Sequence, residues 1–242
     1  EIMAVNIDDV YQKVLALANK EQRGYITPQE FNLFANQAQK EIFEQYFYDV
    51  NQFRRITGNN TVYADVDDML EEKLQIFEEV DDTSTITAWL NGSSSFFKIL
   101  PNYIYRVSRV EFNQVDCEIM NTKDFNDVRQ GGPLLSPTNA RPIVNIRNNI
   151  MRCRAGGGNL VVPTGVFYFR EPANVSWGYF VVGSKALYDG NNLGTIHFEL
   201  HPSEETELVY KILKFAGVSM KRDDIMKAGQ GLENMQVSQE KQ

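Results

Sequence analysis

The hydrophobic period changes twice along this chain, and that change restricts the fold more than any other feature. Apolar side chains recur at helical spacing in the first quarter, alternate at a spacing of two through the middle, and return to helical spacing after His201. Strands grouped between two helical ends predict an α+β fold rather than an alternating α/β one. The expected architecture is a helical layer from the N- and C-terminal segments with a central antiparallel β-sheet or small β-barrel. The segments divide as 1–82, helical; 83–200, β-rich; and 201–242, helices and a tail packing back on the N-terminal helices.

The helical signals are local and chemical. Asn6 caps a first helix, with Asp8 and Asp9 in its first turn and Val10, Val14 and Leu17 along one face. Thr27-Pro28-Gln29-Glu30 is a capping box with proline at the first helical position, and Ile26 and Phe31 stand where a hydrophobic staple places them. Phe31, Phe34, Ala35, Ala38, Ile42 and Tyr46, with Phe43 and Phe47 beside them, continue the period. Asp65 to Asp82 predicts a third helix, with Val66, Leu70, Leu74 and Phe77 as its apolar stripe and a strongly acidic outer face. Near the other end, His201-Pro202-Ser203-Glu204 starts a helix lined by Leu208, Val209, Ile212, Leu213 and Phe215, which Gly217 is expected to stop. A short helix is expected from Ser219 to Ala228.

The middle carries hairpin signals. Asn91-Gly92 predicts a two-residue turn, and Tyr103–Phe112 alternates loosely as a strand. Gly131 to Pro137 reads as an exposed loop. Asn148-Asn149 predicts a second hairpin that sets Ile146 against Met151 and Val144 against Cys153 on an apolar face. The same register puts Arg147, Arg152 and Arg154 on the other face. Further strands are expected at Val161–Arg170, Trp177–Val182 and Gly194–Leu200.

Composition narrows the function classes. The chain has 242 residues with 24 basic and 32 acidic side chains, a net charge of −8, which argues against broad binding of nucleic-acid phosphates. No apolar run approaches the roughly 18 residues of a membrane helix, and Glu1-Ile2-Met3-Ala4 lacks the layout of a signal peptide. The only cysteines, Cys117 and Cys153, suit a reducing compartment without a disulfide framework, and Cys153 reads as a small buried hydrophobe.

Two strings resemble metal sites. His197-Phe198-Glu199-Leu200-His201 spaces two histidines four apart, but on a strand these lie about 13 Å apart. Asn19–Glu30 fits the length of a calcium loop, with Gly24 and Glu30 in place, yet Arg23 stands where a ligand oxygen is needed. No nucleophile elbow, phosphate loop, dinucleotide fingerprint or paired-cysteine zinc spacing occurs. The reading is no enzyme, no cofactor and no metal.

What remains is charge segregation. Between Val128 and Arg170 there is no acidic residue and no lysine, while Arg129, Arg141, Arg147, Arg152, Arg154 and Arg170 all occur. One reading is an ordinary solvated sheet face. Another is an interface between Arg147, Arg152 and Arg154 and an acidic surface such as Asp67, Asp68, Glu71, Glu72, Glu78 and Glu79, on another copy or another protein. Nucleic-acid binding is a third.

Gly24-Tyr25-Ile26-Thr27-Pro28-Gln29-Glu30-Phe31-Asn32-Leu33-Phe34-Ala35-Asn36-Gln37-Ala38-Gln39, continuing into Glu41-Ile42-Phe43-Glu44, resembles the N-terminal helix of structural proteins from crAss-like and related tailed phages. Glu199-Leu200-His201-Pro202 with the Glu205–Gly217 helix resembles the C-terminal part of head-to-tail adaptor proteins of short-tailed phages. The resemblance implies a virion connector or tail ring protein. Such proteins assemble, usually as twelve copies, beneath the portal, and let genomic DNA pass without sequence-specific reading. It places the chain in the host cytoplasm during assembly and then in the virion, with no membrane partner. Two other readings stand beside it: a different virion component (tube, hub or capsid-stabilising protein) and a calcium- or ligand-binding module. The tail after Ala228 is polar, with only Leu232, Met235 and Val237 apolar. It is expected to be disordered in the free chain and to dock on a neighbouring subunit or the portal.

Overall fold

Chain order runs α1 (Ile7–Asn19), α2 (Pro28–Arg55), α3 (Thr61–Gln75), β1 (Glu78–Asp82), β2 (Lys98–Ile99), β3 (Ile104–Phe112), β4 (Val115–Asp116), β5 (Glu118–Met120), α4 (Thr122–Gln130), β6 (Ile143–Arg147), β7 (Ile150–Ala155), β8 (Asn159–Val161), β9 (Gly165–Arg170), β10 (Tyr179–Val182), β11 (Lys185–Tyr188), a 3₁₀ turn (Pro202–Glu204) and α5 (Glu205–Ser219). The computed structural model describes residues 5–19, 26–55, 61–82, 98–132, 134–183, 185–190, 194–219, 227 and 230–235. The chain divides into two compact units: Glu1–Ile76 with Pro172–Gln242, and Phe77–Glu171. The fold is α+β. The turn at Asn91-Gly92 and most of the Ser219–Ala228 helix lie outside the described residues.

In the first unit the capping chemistry is realised. The Thr27 backbone N–H donates to Glu30 Oε2 at 3.0 Å, and the Glu30 N–H donates to Thr27 Oγ1 at 3.3 Å. The Thr27 hydroxyl, donating to Glu30 Oε2 at 2.8 Å, and then the Thr27 backbone N–H hold the Glu30 carboxyl below its ordinary pKa. Ile26 and Phe31 are buried beside the cap, as a staple requires. From there Phe31, Ala35, Ala38, Ile42, Phe43, Tyr46 and Val50 form one buried stripe down α2. α5 packs against α1 and α2, and α3 packs against α2, so the C-terminal helix does return to the N-terminal ones. Gly217 does not stop α5, which continues to Ser219. Gly194–Leu200 is not a strand but two isolated bridges, Ser176↔Ile196 and Val5↔Phe198.

An extended segment from Ala173 to Trp177 is gripped by polar side chains of α2 spaced along one helix face. Asn32 Oδ1 accepts from the Trp177 N–H at 2.8 Å. Asn36 accepts from the Val175 N–H at 2.8 Å and donates to the Val175 carbonyl at 2.9 Å. Gln39 donates to the Ala173 carbonyl at 2.8 Å and accepts from the Glu199 N–H at 3.1 Å. The grip seats the buried Trp177 ring against Tyr11, centroids 4.3 Å apart, with Tyr179 and Tyr188 stacked on it. Its Nε1–H donates to Asp8.

The second unit contains two sheets. One has the order β1-β9-β3-β4, all antiparallel; the other has β2-β7-β6-β5, with β8 also on β7. The β5–β6 pair is parallel. Both sheets end in edge strands, so among the described residues there is no closed barrel. Val110, Val166 and Tyr168 from the first sheet and Val144, Met151 and Cys153 from the second share one core. The hairpin register at Asn148-Asn149 is the expected one, with Val144↔Cys153 and Ile146↔Met151. Both turn residues are left-handed, with φ of 50° and 58°, a conformation asparagine tolerates better than most side chains.

Three further elements differ from expectation. The third helix ends at Gln75, and Glu78–Asp82 forms a strand against β9. Leu70, Leu74 and Phe77 are still buried, so the apolar stripe was real. Carboxylates at the C-terminal end of a helix oppose its dipole, and Glu79 gains Arg170 as a partner on β9 instead. Val161–Arg170 is interrupted at Pro163-Thr164, separating β8 from β9. α4 was not expected; Asn121 caps it by accepting from the Asp124 N–H at 2.9 Å. The two compact units divide after Ile76 and after Glu171, where the expected segments divide after 82 and 200.

Candidate functional site

The arginine-rich face takes shape where α4 covers part of the outer side of the β6–β7 hairpin. Pairing places Ile143 opposite Arg154, Asn145 opposite Arg152 and Arg147 opposite Ile150. Ile143 and Asn145 are buried, and α4 packs on β6. Asn145 Nδ2 donates to the Met120 carbonyl at 3.0 Å, just before the helix begins. Phe125 of α4 is buried, and the Arg154 guanidinium lies over its ring at 5.9 Å.

The three arginines of the candidate face are therefore unequal. Arg154 is half-buried, and its Nη1 donates to the Gly158 carbonyl. Burial, then the charges of Arg129 and Arg152, push its pKa below the ordinary arginine value. Arg152 is half-buried and Arg147 exposed. Like charges thus gather here, although Arg154 also helps build the unit.

Two of the other segment arginines, Arg141 and Arg170, are engaged with acids. Arg141 forks onto Glu118 Oε2 at 3.0 and 3.2 Å. Arg170 Nε lies 2.8 Å from Glu79 Oε1, while Glu79 Oε2 accepts from the Tyr168 hydroxyl at 3.1 Å. Part of the arginine–acid pairing expected between surfaces is accordingly made inside one chain.

The acidic candidates separate into two groups. Asp68, Glu71 and Glu72 are exposed on α3; Asp67 belongs to the same helix, its side chain outside the described residues. Glu78 and Glu79 belong to β1 in the second unit. Next to them, burial and the neighbouring Glu79 and Asp82 charges raise the Asp81 carboxyl above the usual range.

The tail is not wholly disordered: residues 230–235 are helical. Glu233 is largely buried and meets Lys211 at 2.8 Å and Lys214 at 3.0 Å on α5. Burial opposes the Lys211 charge, but Glu233 and Glu207 outweigh it and raise its pKa. Thus the chain's own body holds residues 230–235. Leu232 and Met235 remain exposed, and Val237 lies outside the described residues.

Sequence reasoning missed one surface. The β10–β11 ribbon exposes Phe180, Val181, Val182 and Leu187, and it is a two-stranded sheet with no further strand on either edge among the described residues. The run Tyr179-Phe180-Val181-Val182 was legible as a strand, but nothing in its pattern marked it as uncovered. The histidines serve local structure: His197 Nδ1 accepts from the Ile7 N–H, and His201 caps the 3₁₀ turn. In the calcium-length loop, Glu30 is engaged by Thr27, and 20–25 lie outside the described residues. Among the described residues no helix is long and apolar enough to cross a membrane.

No known family model matches this chain, and no curated protein matches it in sequence.

Proposed function

We propose that this protein is a structural virion protein that assembles into an oligomeric ring of a phage head–tail connector. In this reading it is a portal adaptor that extends the DNA-exit channel and is not an enzyme. The observation that carries the reading is the gathering of Arg129, Arg152 and Arg154, with Arg147 on the same strand face by register, on a chain whose α3 exposes Asp68, Glu71 and Glu72. Two different, oppositely charged patches on one chain favour heterologous contacts, patch to unlike patch, and such contacts close into rings. The uncovered apolar ribbon adds surface that assembly would bury, as would Leu232 and Met235. The resemblance to adaptor proteins supplies the rest: about twelve copies, the portal and neighbouring tail rings as partners, and DNA passing through. A net charge of −8 repels phosphates and suits passage better than binding.

Electron microscopy of particles carrying a labelled copy of this chain tests the assignment. A ring of label at the head–tail vertex is expected; label on the capsid shell or the distal tail would overturn it in favour of another virion role. Arg147→Glu, at the exposed member of the three with the half-buried Arg152 and Arg154 left in place, should keep the monomer folded and abolish ring density. Like charges facing each other across an interface cost several kcal/mol. Normal rings from that variant would return the arginines to a solvated face.

A further inference from the structure

The only two cysteines of the chain come from positions 36 apart and touch: Cys117 Sγ lies 3.7 Å from Cys153 Sγ. A buried residue contacts roughly 6–12 others, so an arbitrary second position would meet it only about one time in twenty to forty. Cys117 follows β4 of one sheet and precedes β5 of the other, at the crossover between them. Cys153 sits in the middle of β7, and both sulfurs belong to the core the two sheets share.

We infer that Cys117 and Cys153 form a modification site that closes to an intrachain disulfide when a small peroxide reaches this core. The sulfurs must approach from 3.7 Å to about 2.05 Å. Cys117 is the attacking group. It is 7% exposed against 1% for Cys153, and its contact with the Cys153 thiol, a pair in which either sulfur can donate, holds its pKa below the ordinary thiol value. The same contact, together with burial, raises Cys153 and keeps it protonated. The Cys117 thiolate attacks one peroxide oxygen and breaks the O–O bond. Cys117 becomes a sulfenic acid, and the departing hydroxide takes a proton to leave as water. The Cys153 sulfur then attacks the Cys117 sulfur, and the sulfenic oxygen departs with the Cys153 proton as a second water. Two thiols are oxidised by two electrons and one peroxide is reduced. In a reducing compartment the pair remains a dithiol. The bond would tie the sheet crossover to the central strand of the opposite sheet, and it does not depend on the ring reading.

The purified full chain, treated with a small excess of hydrogen peroxide and digested without reductant, is the test. The expected result is one cross-linked peptide pair joining Cys117 to Cys153, an intact mass lower by two hydrogens, and no thiol left to alkylate after denaturation. Melting should shift upward by roughly 5–15 °C and return on reduction. Cys117→Ala and Cys153→Ala, each alone, should lose the cross-link and the shift. Thiols that stay alkylatable, separate over-oxidation of each cysteine, or cross-links between chains would each overturn the assignment.

Discussion

In the second unit, strands find partners through backbone ladders, and the core between the sheets is almost wholly apolar. In the first, the backbone groups of Ala173, Val175 and Trp177 bond to amide side chains of α2. Buried charges are also paired there, Lys73 with Glu204 and Lys211 with Glu207 and Glu233. One unit rests on register, which many side chains can satisfy. The other rests on particular functional groups at particular positions. Substitutions that keep polarity and size but alter one amide should therefore damage the first unit more than the second.

The largest effect is expected at Trp177. Trp177→Ala removes the ring that Tyr11, Tyr179 and Tyr188 surround and should cost about 3–5 kcal/mol. Hydrogen exchange should show lost protection in α1, α2 and 172–200, with β6 and β7 unchanged. Equal loss in both units would break the contrast drawn above.

Asn36→Ala comes next. It strands both the N–H and the carbonyl of the buried Val175 and should cost about 2–6 kcal/mol, since each buried polar group left unpaired costs roughly 1–3. Denaturant melts of Asn36→Ala beside the exposed control Asn51→Ala measure this. A cost no greater than the control's would show that water replaces the amide.

What could be read from sequence follows the same division. The Asn148-Asn149 register, the Thr27–Glu30 cap and the stripe through Phe77 were legible because each is a local pattern of types and spacings. The amide grip was not: Asn36 and Val175 stand 139 positions apart, and amide-to-backbone bonds leave no period. β3 shows a different failure. Register shifts between Ile104 and Arg106 and between Val107 and Arg109 put Ile104, Val107 and Val110 on one face at a spacing of three. Bulges had thus turned alternation into a looser pattern. For the candidate site, the arginine face was legible from strand alternation. Its partial cover was not, because α4 was read only as part of an unassigned stretch. Nor could the sequence reveal that Arg170 and Glu79 pair within the chain, since β1 was read as helix.

Asn149→Val sharpens the register side of the comparison. Valine resists the left-handed conformation that position 149 holds, φ 58°, so the change should cost about 1–2 kcal/mol. Asn149→Gly should be neutral or slightly stabilising. If valine proves harmless, the turn does not set the hairpin register.

The smallest effect on global stability is expected at the tail, where the largest local effect should appear. Glu233 links 230–235 to α5, and Leu232 and Met235 are exposed, so opening this turn surrenders little apolar burial. Burial works against the Glu233 carboxylate, but Lys211 and Lys214 outweigh it and hold its pKa below the ordinary value. A depressed carboxyl pKa stabilises the folded state above the unfolded pKa, and that contribution is lost as pH falls through the folded value. Acidification from pH 6 into the range below about 4.5 should therefore release the turn before the rest of the first unit melts. Glu233→Gln should release it at neutral pH. In Glu233→Gln, Lys211 still has Glu207 at 3.2 Å, so it is not left as an unpaired buried charge. The melting temperature of Glu233→Gln should fall by no more than about 3 °C, while amide exchange at 230–235 rises at least tenfold. A fall of 8 °C or more would mean that the tail is part of the unit's core rather than a turn clipped to its surface.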